Sequence, residues 1–90
     1  MSVKVIIPPV LKHTAHGMDV AEVNGSIVGE CLNEFVMRFP DSKELLFDDT
    51  GTLFEHFEVY INGKSIYPDG LAKPIHDGDE LYLLYIIIGG

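Results

Sequence analysis

Ninety residues make one small domain with an economical core, since a chain of this size buries only about 60–65% of its unfolded surface. Six Lys and Arg against fourteen Asp and Glu leave a net charge of −8, which opposes the counterion-release attraction behind most nucleic-acid affinity and excludes DNA, RNA and anionic membranes as expected partners. The one cysteine, Cys31, excludes an intramolecular disulfide and a cysteine-built zinc site. The opening residues MSVKVIIPPV lack a signal-peptide h-region with its cleavage site, and no stretch approaches the roughly 20 apolar residues of a membrane span, so a cytoplasmic protein is expected.

In chain order, VKVIIP from Val3 reads as a strand with Val3, Val5 and Ile7 on one face, bounded by Pro8 and Pro9. A loop, PPVLKHTAHG, leads to DVAEV, where Val20 and Glu22 point opposite to Ala21 and Val23; the two runs predict a β-hairpin with a long connection. The period then changes. Val28, Leu32, Phe35, Val36 and Phe39 form an apolar stripe on a helix whose other face carries Glu30, Asn33, Glu34 and Arg38. Ser26 is the expected N-cap, and Pro40 ends the helix. A short helical turn is expected in DSKELLF, with Asp41 and Glu44 at capping-box spacing and Leu45, Leu46 and Phe47 returning to the core. Asn62-Gly63 between apolar runs predicts a hairpin. A last strand follows the Asp77-Gly78 turn, with Leu81, Leu83, Tyr85 and Ile87 on one face and Tyr82, Leu84, Ile86 and Ile88 on the other. Apolar on both faces, it belongs at the centre of a sheet.

One amphipathic helix covering a mixed sheet is an α+β two-layer arrangement, and with the first and last strands parallel at the centre it is a β-grasp, or ubiquitin-like, fold. Residues 1–88 are assigned to that domain and residues 89–90 to a flexible C-terminal diglycine tail. A single helix covers a single sheet face, so the face bearing Tyr82, Leu84, Ile86 and Ile88, with Ile6 from the adjacent strand, is the expected partner-docking surface.

Other features have plainer readings. Cys31, three residues after Val28, reads as a buried small hydrophobe. His13 and His16 form H-x-x-H in a loop, too few ligands for a metal. Asp41, Glu44, Asp48, Asp49, Glu55 and Glu58 read as a solvated surface, with steering toward a basic partner as the alternative. No catalytic triad or paired-carboxylate site is legible, so the chain is expected to be a protein cosubstrate and not an enzyme.

The segment DGDELYLL followed by a terminal Gly89-Gly90 resembles the ubiquitin-like sulfur carriers, the MoaD/ThiS-like family, over essentially the whole chain. Ile7, Pro8, Leu11 and Gly17, then Gly25 and Gly29, and GLAKPIHDGD from Gly70 to Asp79 resemble the cysteine-biosynthesis (CysO-type) branch most. Where many members carry prolines or small residues before the diglycine, this chain has Ile86, Ile87 and Ile88.

The resemblance implies a carrier with no stably bound cofactor. An adenylating, E1-like activating enzyme would use ATP and magnesium to convert the Gly90 carboxylate to an acyl-adenylate. A sulfurtransferase or persulfide donor would replace AMP with sulfur, and an acceptor synthase would take the sulfur from the resulting thiocarboxylate. Gly89 would grant access, because a backbone without Cβ passes through a narrow channel. Some relatives also imply a metalloprotease that trims or releases the C-terminus. Alternatives within the resemblance are the small subunit of molybdopterin synthase and a ubiquitin-like modifier conjugated through Gly90; the sulfur acceptor, in a cysteine-type pathway or a secondary metabolite, is left open.

Overall fold

The alternation of β-branched residues with Lys4 draws Ser2–Ile6 out as β1, with Val3 and Val5 buried and Lys4 in solvent. The structure, a computed structural model, describes residues 2–86. β2 (Val20–Asn24) pairs antiparallel with β1 and buries Ala21 and Val23. α1 (Val28–Arg38) and α2 (Lys43–Leu46) follow, then β3 (Phe57–Ile61), the two-residue β4 (Lys64–Ser65) and β5 (Glu80–Tyr85). The sheet order is β2-β1-β5-β3-β4, with β1 and β5 parallel at its centre, a β-grasp sheet. Asn62 and Gly63, at φ 50° and 88°, make the turn between β3 and β4, a conformation glycine adopts without strain.

The helix stripe lies over one side of the sheet: Val28, Cys31, Leu32, Phe35, Val36 and Phe39 are all buried with Val3, Val5, Val59, Leu81 and Leu83. Helix and sheet meet closely at Gly25, where an added Cβ would lie 2.7 Å from Cys31 Sγ and 2.9 Å from the Cys31 amide nitrogen. Glycine is required there by space, not by φ.

Several local expectations are corrected. Ser26 does not cap α1: Ile27 occupies the cap without a side-chain bond, and the Val28 amide donates to the Lys73 carbonyl at 3.0 Å. Ser26 instead donates its amide and its hydroxyl to Glu30, both at 2.8 Å. A segment distant in sequence therefore satisfies the helix end, which is also why the 70–79 stretch packs there; a Cβ on Gly29 would meet the Leu71 carbonyl at 3.2 Å. The Asp41–Glu44 capping box does not form, because Pro40–Ser42 winds as a 3-10 turn leading into α2. In that single turn only Leu46 is fully buried, whereas Leu45 rotates outward and Phe47 is half-buried. The connection after β1 is not simply a loop: Pro9–Ala15 forms a 3-10 helix that sends Leu11 and Ala15 into the core. β5 spans Glu80–Tyr85, with Ile86 just past it. Ile87, Ile88, Gly89 and Gly90, and with them the expected tail, lie outside the described residues. Among the described residues no helix is long and apolar enough to cross a membrane.

Candidate functional site: the open sheet face and the root of the tail

The side of the sheet away from α1 carries a row of side chains set by strand register. Val20 of β2 lies opposite Ile6 of β1, Ile6 opposite Tyr82 of β5, and Tyr82 opposite Tyr60 of β3. Leu84, two residues beyond Tyr82 on the same face, is 45% exposed, and Val20 is exposed too. Beside Leu84 a groove of about 570 Å³ is walled by Ile6, Pro8, Pro9, Val10 and Tyr82, and it borders the end of β5 from which the chain runs on toward Gly90.

Thus Ile6, Tyr82 and Leu84 of the expected docking set come together on one face. Ile86 sits one residue past β5, partly buried, and its amide donates to the His56 carbonyl at 2.6 Å. Ile88, Gly89 and Gly90 are beyond the described residues. Residues not singled out as docking residues from sequence also contribute: Tyr60 and Val20 extend the row, and Pro8, Pro9 and Val10 build the groove wall. Tyr60 was within reach of sequence reasoning, since period two turns it away from buried Val59, but its position opposite Tyr82 depends on a register between distant strands.

Carboxylates frame the apolar row. Tyr60 donates its hydroxyl to Glu58 at 3.0 Å, and Tyr82 donates to Glu80 at 3.1 Å. Both phenols are pushed above their usual range by the hydrogen bond to the carboxylate and then by its charge. On the other side of β5, at the root of the tail, Tyr85 is half-exposed and packs edge-on against His56 and Phe57, with ring centroids 5.2 and 5.4 Å apart. The expected inner face thus continues past the helix cover at Tyr85.

The remaining candidates do not join this site. Cys31 is buried, and burial, followed by the charges of Glu34 and Glu30, pushes its thiol up to about 11, far from a reactive thiolate. His16 closes the 3-10 helix in a left-handed conformation at φ 57° and packs on Phe39 at 5.6 Å; His13 is exposed. Among the described residues no group of three or more His, Cys, Asp or Glu is placed to hold a metal ion.

No family model matches the chain. Among curated proteins it is 32% identical over 83 residues to small archaeal modifier protein 1 of Haloferax volcanii, covering 80% of this chain and 92% of that one. It is 28% identical over 93 residues to the sulfur carrier protein CysO of Mycobacterium tuberculosis, covering 100% of both. Among solved structures, the Amycolatopsis orientalis BexX/CysO complex contains a chain that matches with a TM-score of 0.87 at 29% identity, over 98% of this chain and 99% of that one.

Proposed function

This chain belongs to the ubiquitin-like sulfur carriers, and from that membership we propose that it ferries sulfur as a thiocarboxylate on Gly90. The observation that carries the reading is the placement of the chain's exit. The central strand ends at Tyr85 beside an open apolar face, and four residues separate Ile86 from the Gly90 carboxylate, a reach of at most about 14 Å. A partner seated on Ile6, Tyr82 and Leu84 thereby receives the terminus at a bounded distance, the geometric requirement for delivering one end of a protein into a buried site.

The chemistry follows from the poor electrophilicity of a carboxylate. In the activating enzyme, a Gly90 carboxylate oxygen attacks the α-phosphorus of ATP and pyrophosphate leaves, with magnesium screening the phosphates. Hydrosulfide then attacks the acyl carbon and AMP departs, leaving the thiocarboxylate; a persulfide donor gives an acyl disulfide that a second thiol cleaves. Gly89 and Gly90, having no Cβ, admit the backbone to a narrow channel. The described residues of this chain supply docking and reach, and the catalytic groups belong to the partner. A similar protein, CysO of Amycolatopsis orientalis, forms a complex with a separate protein, BexX, which supports a reading in which this chain also acts on a separate protein partner. Cysteine formation leads among acceptor pathways for this chain.

A second reading has its own support. The 32% identity to an archaeal modifier favours conjugation of the activated Gly90 to lysine amines, which shares the adenylation step and differs in the nucleophile. ATP–pyrophosphate exchange in extract of the native cells tests the common step: added protein should stimulate exchange, and the variant lacking Gly90 should not. Equal stimulation by both would overturn activation at the terminus.

A further inference from the structure

We propose that the hollow between Tyr60 and Tyr82 is a seat for an arginine side chain of the docking partner, and that the adjoining groove takes a bulky apolar residue of the same partner. The proposal presupposes that the open sheet face is where partners dock. The hollow, of about 580 Å³, is lined by Tyr60, Asn62, Gly63, Glu80, Tyr82 and Leu84. Tyr60 and Tyr82 are directly opposed across β3 and β5, so two aromatic rings flank one space. Each ring carries a carboxylate fixed to its hydroxyl, Glu58 at 3.0 Å and Glu80 at 3.1 Å.

The charge pattern selects a cation. Among the described residues the ion pairs are Lys12–Asp19, Lys73–Asp69 and His76–Asp79, which leaves the charges of Glu58 and Glu80 available to an incoming group. Lys4 faces Glu80 across the parallel pair without coming within ion-pair distance. A net charge of −8 draws a basic surface toward this chain from a distance. Between the two basic side chains, guanidinium fits better than ammonium: it is planar, weakly hydrated, stacks on aromatic faces and pairs with carboxylates through a fork of N–H donors.

Tyr82 and Leu84 are shared by both hollows and form the ridge between them. On the far side of that ridge, Ile6, Pro8, Pro9 and Val10 offer no charge, only apolar surface. The two hollows lie on opposite flanks of β5, toward β3 and toward β1, so across the sheet their occupants stand about one strand spacing, roughly 5 Å, apart. A basic residue alone would bind any acidic surface. The pair of residues at that separation gives the contact its direction and register.

The test is an amide NMR titration of the full chain with three probes: N-acetylarginine methylamide, N-acetyllysine methylamide and N-acetylleucine methylamide. The arginine probe should shift Tyr60, Asn62, Gly63, Glu80 and Tyr82, binding about threefold more tightly than the lysine probe. About 0.5 M NaCl should weaken it severalfold. Glu80→Gln and, separately, Tyr60→Leu should weaken it likewise while the dispersion of the remaining amides shows an intact fold. The leucine probe should shift Ile6, Val10 and Leu84 in all variants. Arginine shifts equally strong at Asp41, Glu44, Asp48 and Asp49, or unchanged in Glu80→Gln, would overturn the seat, and a persisting leucine response would then leave the docking face itself standing. Dilution shifts at Tyr60 and Tyr82 without any probe would also overturn it, assigning the face to a second copy of the chain. Failure of every probe, with undiminished activation of Leu84→Glu, would remove the docking face as well.

Discussion

The amide of Ile86 donates to the carbonyl of His56 at 2.6 Å, one residue beyond the end of β5. Backbone pairing therefore reaches the last described residue, and Tyr85 adds edge-on contacts to His56 and Phe57 at the same place. The described part of the chain thus stays tied to the sheet up to Ile86, four positions before Gly90. Substituting Gly89 or Gly90 by Val should accordingly abolish activation, measured as pyrophosphate release with the activating enzyme. Stability should change by no more than about 0.5 kcal/mol, the range expected for substitutions in a tail outside the folded domain. Normal activation of the Gly89→Val protein would show that the channel reading is wrong.

Leu84 and Ile6 border the groove beside that root. Leu84→Glu should slow activation by about thirtyfold, the equivalent of a hot-spot loss near 2 kcal/mol, since the new carboxylate must be desolvated against the partner. Ile6→Glu should act in the same direction. Circular dichroism and urea midpoints near those of the parent separate lost docking from lost folding.

Gly25 leaves no room for a methyl group. The 2.7 Å approach to Cys31 Sγ and the 2.9 Å approach to the Cys31 amide nitrogen both have to open in Gly25→Ala, at a cost of about 1–3 kcal/mol in urea unfolding. Cys31→Ala removes only the first of these clashes. The double variant should therefore recover part of the loss, and full recovery would mean that α1 tolerates a shift at its start.

Asp79 accepts the His76 amide at 2.8 Å and the Asn62 side-chain amide at 2.9 Å. Chiefly the His76 amide, with help from Asn62, holds its carboxyl below the usual range. Asp48 is held down first by the Thr50 hydroxyl, and Glu30 by the Ser26 amide. A carboxyl depressed in the folded state binds fewer protons than in the unfolded chain, so its contribution is complete above about pH 5 and is lost as pH falls through the folded value. Stability should decline on acidification below about pH 5. Asp79→Asn should flatten that decline, as read from denaturation midpoints between about pH 2 and 6. An unchanged acid limb would show that Asp79 does not couple folding to protonation.

Much of this architecture is legible in the sequence, and the boundary of legibility is physical. The α1 stripe from Val28 to Phe39, the alternation in β1 and β2 and the Asn62-Gly63 turn are local patterns, and each forms where its period predicts. A doubly apolar last strand pointed correctly to the centre of the sheet. The 3-10 helix at Pro9–Ala15 escaped although its buried residues, Leu11, Thr14 and Ala15, stand at i, i+3 and i+4, because the pattern spans a single short turn, includes a polar Thr and is bounded by Pro8-Pro9 and Gly17. Ser26 carries a local capping signal, but the Lys73 carbonyl overrides it through a contact forty-five positions away. The same holds at the candidate site. Ile6, Tyr82 and Leu84 follow from strand alternation, whereas Tyr60 and the Pro8–Val10 wall depend on β3 register and on the path of a connection.

Sulfur carriage on Gly90 is tested most directly by the intact mass of the protein purified from its native cells under non-reducing, gently alkylating conditions. A fraction heavier by about 16 Da, sulfur replacing oxygen, should localise to Gly90 and disappear when Gly90 is replaced or activation is blocked. A terminus that stays a plain carboxylate in growing cells, while Gly90 appears in isopeptide linkage to lysines of other proteins, would contradict sulfur carriage and establish the modifier reading in its place.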